Sequence, residues 1–138
     1  GIPADPLFRS SYLLVSGAYI GRDMTSEQDR KFLANLLKCD YGGTQSDYLE
    51  RDSIQGLGTT FTFYRQPNSE HYAAQHPDVL LPVEPAYPAM AYSNLQSACV
   101  AYNGNDYRAL TIGFPFECIK SKQMQDVLMR GILAFLLQ

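Results

Sequence analysis

The sequence predicts an α/β fold, a three-layer sandwich with a mainly parallel central sheet, an antiparallel hairpin and an irregular β insertion. Three observations carry that prediction. Residues 11 to 16 hold the nearly unbroken apolar run Tyr12-Leu13-Leu14-Val15, the pattern of a strand covered on both faces. The run closes into Ser16-Gly17-Ala18-Tyr19-Ile20-Gly21. This places a glycine on each side of the turn between strand and helix, the layout of a nucleophile elbow that lifts Tyr19 to the carboxyl edge of a sheet. The chain then ends on an amphipathic helix, with Met124, Val127, Leu128, Ile132, Phe135 and Leu136 on one face.

The elements follow in order. After a loop with Pro3 and Pro6 comes the strand at 11 to 16. Thr25 or Ser26 caps a helix whose first turn carries Glu27, Gln28 and Asp29, and Phe32, Leu33, Leu36 and Leu37 recur at helical spacing as far as Lys38. Asp40-Tyr41-Gly42-Gly43 ends it. Thr59 to Arg65 alternates in period two as a half-exposed strand, with Gln66-Pro67-Asn68-Ser69 as the turn behind it. Gly56, Gly58 and the prolines at 77, 82, 85 and 88 allow only short extended pieces around that strand, hence the irregular, largely antiparallel insertion. Asn103-Gly104 between Ala98–Tyr102 and Tyr107–Gly113 signals a hairpin. Gly131, which costs about 1 kcal/mol relative to alanine inside a helix, suits a close approach of the last helix to the sheet. The 138 residues fit one domain spanning 1 to 138.

Composition narrows the partners. A formal charge of −3 with interspersed acids and bases gives no basic stripe for nucleic acid or an anionic membrane surface. No apolar stretch reaches the roughly 18 residues of a membrane span. A carbohydrate or protein partner remains, and ten tyrosines without a tryptophan suit such wet surfaces, although tyrosine also fills half-buried strand positions. Cys39, Cys99 and Cys118 cannot all pair within the chain, and neither a CxxC spacing nor a histidine pair points to zinc, so we expect no metal and no cofactor. The start at Gly1-Ile2-Pro3 reads as trimmed, any export signal having been removed.

Two blocks, Leu14-Val15-Ser16-Gly17-Ala18-Tyr19-Ile20-Gly21-Arg22-Asp23 and Leu110-Thr111-Ile112-Gly113-Phe114-Pro115-Phe116-Glu117, give the chain a resemblance to the class I glutamine-amidotransferase-like superfamily. Within it, the chain looks most like the C-terminal domain of bacterial proteins of xanthan lyase type. The resemblance implies a flavodoxin-like sandwich and a periplasmic or secreted protein that handles polysaccharide. The family's elbow cysteine falls on Tyr19, its distal glutamate on Glu117, and its histidine base on no histidine here, so the resemblance implies a degenerate site without glutaminase chemistry. Such folds also begin with further strands before the elbow. Without them the sheet has an open edge, which a second copy in a homodimer would cover.

Tyr19 and Glu117 are the candidate catalytic residues, and Ser16, Gly17, Gly21, Arg22, Asp23 and His71 the candidate substrate-binding residues. Each has a plainer role. Ser16 can bond local backbone, Asp23 can serve the helix dipole, His71 and His76 can be solvated loop residues, and Glu117 can cap the last helix. A polysaccharide lyase needs a base for the proton beside a uronate carboxylate and a group that neutralises that carboxylate, and Tyr19, His71 and Arg22 supply the types. Three functions are open: a degenerate binding or assembly module, an active polysaccharide lyase or hydrolase using Tyr19 and Glu117, and a structural domain whose site is filled by its own side chains.

Overall fold

In the computed structural model, which describes residues 11–44, 53–64, 69–70, 74 and 76–138, the apolar run forms strand β1 (Ser11–Ser16), paired in parallel with β8 (Tyr107–Ile112) so that Leu13 meets Ala109 and Val15 meets Thr111. Helix α1 (Glu27–Phe32) starts at Ser26. The Ser26 hydroxyl accepts the Asp29 N–H and the Asp29 carboxylate accepts the Ser26 N–H, a reciprocal capping box. The helix runs on as a π turn, Leu33–Leu37, and ends at Lys38, whose φ of 57° reverses the chain.

The chain does not form the expected parallel three-layer sandwich. Among the described residues strand outweighs helix, 41% to 26%, in a curled, half-barrel sheet. β3 (Ser53–Gly56), β4 (Thr59–Thr62), β6 (Tyr87–Tyr92), β7 (Ser97–Asn103) and β8 continue from β1 in the order β1-β8-β7-β6-β3-β4, and every pair after the first is antiparallel. The reason lies in the connections. Leu57-Gly58, Ser93 to Gln96 and Gly104 to Asp106 are far too short for the crossover of a dozen or more residues that a parallel pair requires. At Leu57 and Gly58 both φ values are positive, 50° and 80°, as the tightest hairpin turn demands.

Two further expectations change. Asp40 to Gly43 does not merely end the helix. It belongs to β2 (Cys39–Thr44), which pairs antiparallel with β5 (Asp78–Pro82) as a separate ribbon. The proline-rich middle is no irregular insertion either, because β3, β4 and β6 are half of the main sheet. The prolines sit where the ladder tolerates them: Pro82 ends β5, and Pro88 lies at a register shift in β6. Of Thr59 to Arg65, the strand keeps Thr59–Thr62, Phe63 bridges to Ile119, and Arg65 to Asn68 lie outside the described residues.

The sheet is covered differently on its two faces. α2 (Lys122–Leu136) lies on one, packing Leu128, Ile132 and Phe135 against Ile54, Phe61 and Leu110. On the other, Leu33 and Leu37 of the π turn join Cys39, Leu80 and Val100, so the cover is part helix and part ribbon. Gly131 brings α2 close to the β3–β4 turn, where an added Cβ would stand 3.3 Å from Leu57 Cβ. All three cysteines are buried free thiols. Burial pushes Cys39 up to about 12 and Cys118 to about 11, and moves Cys99 in the same direction.

Ile132 is fully buried and Leu133 is 44% exposed. Ile132→Ala should therefore cost roughly 2–5 kcal/mol in urea unfolding while Leu133→Ala costs less than about 1 kcal/mol. The thiols should be silent to a disulfide reagent at pH 8 in the native protein, and all three should react once guanidinium unfolds it.

Candidate functional site

The elbow turn leaves β1 at its carboxyl end. Ser16 fastens it there: its hydroxyl donates to the Phe114 carbonyl at 2.9 Å and accepts the Phe116 N–H at 2.9 Å. Both bonds tie β1 to the segment after β8. The Gly17 N–H continues the ladder to the Ile112 carbonyl at 3.3 Å, and space alone does not require glycine at 17, since a Cβ would make only ordinary contacts with Ile20. Tyr19 then takes φ 67°, and its carbonyl accepts the Asp23 N–H at 3.0 Å. For a residue other than glycine that left-handed conformation costs roughly 1–2 kcal/mol.

The Tyr19 ring has two neighbours. The Arg22 guanidinium lies 5.1 Å from its centroid, and the His76 ring stands 6.0 Å away, tilted by 40°. Tyr19 also lines a cleft of about 510 Å³ with Leu13, Val15, Ile20, Met24 and Phe32, and Asp23 stands at the same cleft. Its hydroxyl makes no hydrogen bond among the described residues. The cleft is thus an apolar groove with a polar mouth.

Asp78, at the first position of β5, is the residue that organises the turn. It is fully buried, and its Oδ2 accepts the Gly21 N–H at 2.8 Å. The Asp78 N–H donates to the Gly113 carbonyl at 2.7 Å, and its carbonyl accepts the Tyr92 hydroxyl at 2.6 Å. Oδ1 has no partner among the described residues. Burial lifts this carboxyl above the ordinary carboxylate range, further raised by Asp23, and the N–H groups of Gly21, Arg22 and Tyr19 only partly oppose that. The sequence contained one sign of it, an acid leading the apolar run Val79-Leu80-Leu81.

The predicted residues do not converge. Ser16, Gly17, Tyr19, Gly21, Arg22 and Asp23 share the turn, with Arg22 and Asp23 exposed and Gly21 buried against Tyr41. Glu117 sits in the 3₁₀ turn Phe116–Cys118 and lines a different cleft, of about 530 Å³, with Tyr64, Glu70, Lys122 and Asp126. The cap of α2 is Ser121, whose hydroxyl accepts the Met124 N–H. His71 lies outside the described residues. Among the described residues no group of three or more His, Cys, Asp or Glu side chains could hold a metal ion, and no helix is long and apolar enough to cross a membrane.

Comparison with known proteins found no matching family model and no matching curated protein. Among solved structures the chain is similar to a polyextremophilic β-galactosidase from the Antarctic haloarchaeon Halorubrum lacusprofundi, at 14% identity and a TM-score of 0.59, over 94% of this chain. The chain spans 19% of that β-galactosidase's length. These findings overturn the glutamine-amidotransferase and xanthan lyase resemblance. The two blocks that carried it, around Tyr19 and around Gly113, are the ends of β1 and β8, the one parallel pair in an otherwise antiparallel sheet.

Asp78 gives a pH dependence of known sign. Its carboxyl binds a proton more tightly in the folded than in the unfolded chain, so its stabilising contribution is complete below the ordinary carboxylate range and is lost as pH rises through the raised value. Asp78→Asn keeps an acceptor for the Gly21 N–H. It should match or exceed the wild type in urea midpoint at pH 7.5 and lose that advantage by pH 4.

Proposed function

We propose that this chain is a non-catalytic binding or assembly module of a larger carbohydrate-processing protein, one that handles polysaccharide or cell-envelope material. The observation that carries the reading is the separation of Tyr19 and Glu117 into different clefts, because a lyase or hydrolase using both needs them on one substrate. The likeness to about a fifth of a β-galactosidase chain supports the carbohydrate context.

The sheet edge supports an assembly role. Among the described residues β1 pairs with β8 alone, yet it carries apolar side chains on both faces, with Tyr12 46% and Leu14 39% exposed on one and Leu13 and Val15 in the groove on the other. An edge strand with an interior strand's composition is a surface for a protein partner, and a second copy of the chain is the simplest one.

Turnover assays on an aryl β-galactoside and on a uronate-containing polysaccharide, set beside calorimetric titration with the same polysaccharide, test the reading. We expect no turnover above the blank by wild type, Tyr19→Phe or Glu117→Gln. Turnover by the wild type that falls at least tenfold in either variant, with the fold intact, would make the protein an enzyme and end the proposal.

A further inference from the structure

The cleft that contains Glu117 is built on fixed main chain. The Ser16 hydroxyl accepts the Phe116 N–H at 2.9 Å, the Tyr64 N–H donates to the Cys118 carbonyl at 2.7 Å, and the Lys120 N–H donates to the Thr62 carbonyl at 2.8 Å. These bonds clamp the segment after β8 between the ends of β1 and β4, and Ser121 then starts α2 beside it. The Gln125 side chain is held as well, since its Nε2 donates to the Ile119 carbonyl at 3.1 Å. Groups fixed in this way lose little freedom when a ligand arrives.

The cleft's volume of about 530 Å³ is that of a small-molecule site, and its lining is of two kinds. Tyr64 and Phe116, both half-buried, supply ring surface. Glu117, Asp126 and Lys122 are exposed, and their side chains form no ion pair or hydrogen bond among the described residues, although Lys122 and Asp126 stand one turn apart on α2. Ring surface beside partnerless acceptors and a donor matches a pyranose, whose C–H face lies against a ring while its hydroxyls donate to carboxylates. Charge narrows the class. Glu70, Glu117 and Asp126 line the cleft against Lys122, and Lys120 is engaged with the Tyr64 ring, its Nζ 5.5 Å from the centroid. A ligand with a carboxylate of its own is repelled there.

We propose that the cleft between the Phe116–Cys118 turn and the start of α2 binds a neutral pyranose unit of a glycan and excludes a uronate. The inference rests on the binding-module reading and adds to it the place and the class of the ligand. Tyr64 and Phe116 take the sugar's apolar face, Glu117 and Asp126 accept its hydroxyls, and Lys122 donates to its oxygens. Glu117 thereby has a role in recognition that needs no second residue from the Tyr19 groove.

The experiment is NMR titration of the isotope-labelled protein with glucotetraose, mannotetraose and galactotetraose, and with tetragalacturonate as the anionic counterpart of the last. At least one neutral tetramer should shift the amides of Tyr64 and of Phe116 to Gln125 saturably, and tetragalacturonate should bind at least about tenfold more weakly than that tetramer. Tyr64→Ala should abolish the binding. Glu117→Gln and Asp126→Asn alter exposed side chains and keep the fold, so they decide where Tyr64→Ala does not fold: each should weaken the neutral tetramer about threefold or more and narrow its advantage over the uronate. No saturable shift in this cleft with any neutral tetramer, or tetragalacturonate binding as well as galactotetraose, would overturn the proposal. Saturable shifts confined to the amides around Tyr19 would sink it too while leaving the binding-module reading in place. Turnover of a tetramer bound in this cleft would end that reading and leave the ligand assignment standing.

Discussion

The first residue of β5 is the point on which the architecture turns. Through its N–H, its carbonyl and its carboxylate, Asp78 joins the end of β8 at Gly113, the β6 residue Tyr92 and the elbow at Gly21. The ribbon of β2 and β5 is thereby fixed against the main sheet where the turn leaves β1. The bond between main chains and the one from the Tyr92 hydroxyl contribute about 0.5–1.5 kcal/mol each, and one to a charged acceptor about 1.5–3 kcal/mol. Against them stands the desolvation of a buried carboxylate, several kcal/mol per ion. The upward shift of this carboxyl says that burial outweighs the N–H groups that face it. The charge is thus net destabilising, and what it contributes is geometry: no apolar side chain could accept the Gly21 N–H and hold the turn.

That geometry has a consequence for the edge of the sheet. With the elbow fixed, β1 is held in register with β8, its four apolar residues displayed on two faces, and α1 with its π turn covers one of those faces only in part, since Phe32 and Leu36 remain 46% and 37% exposed. Burial of apolar surface is worth roughly 25 cal/mol per Å². A partner seated on this edge would gain on both faces of one strand at once, and that gain is what the proposed assembly role draws on.

What could be read in the sequence was local. β1, the Asn103-Gly104 hairpin, the Ser26 cap, α2 and the close approach at Gly131 each announce themselves within a few residues, by periodicity, turn chemistry or a capping side chain. Sheet sense does not. The run at 11 to 16 reads as a parallel strand and is one, though at the sheet's edge with Tyr12 and Leu14 exposed rather than covered on both faces, and the hairpin at Asn103 reads as antiparallel, but nothing in Tyr87–Tyr92 reveals that the rest of the sheet runs antiparallel, except the shortness of the turns. β2 was hidden because Gly42 and Gly43 look like a helix stop, and β6 because prolines at 85 and 88 look like a loop. The elbow was legible for the same local reason that Asp78 was not: Ser16 to Gly21 is a contiguous pattern, whereas the carboxylate that holds it lies 57 residues away.

The strain at Tyr19 decides how the elbow is to be understood. A left-handed tyrosine costs roughly 1–2 kcal/mol, and strain of that size is often the mark of a site where chemistry uses it. Here it has local compensation. A guanidinium over a half-buried ring is worth roughly 0.5–1 kcal/mol, and the His76 ring adds a second contact. The opposing contributions are of similar size. An elbow that shaped a nucleophile would aim its backbone donors at the substrate's developing charge. This one commits at least its Gly21 N–H to its own aspartate, and the surface it presents is the ring of Tyr19 and the apolar groove beside it.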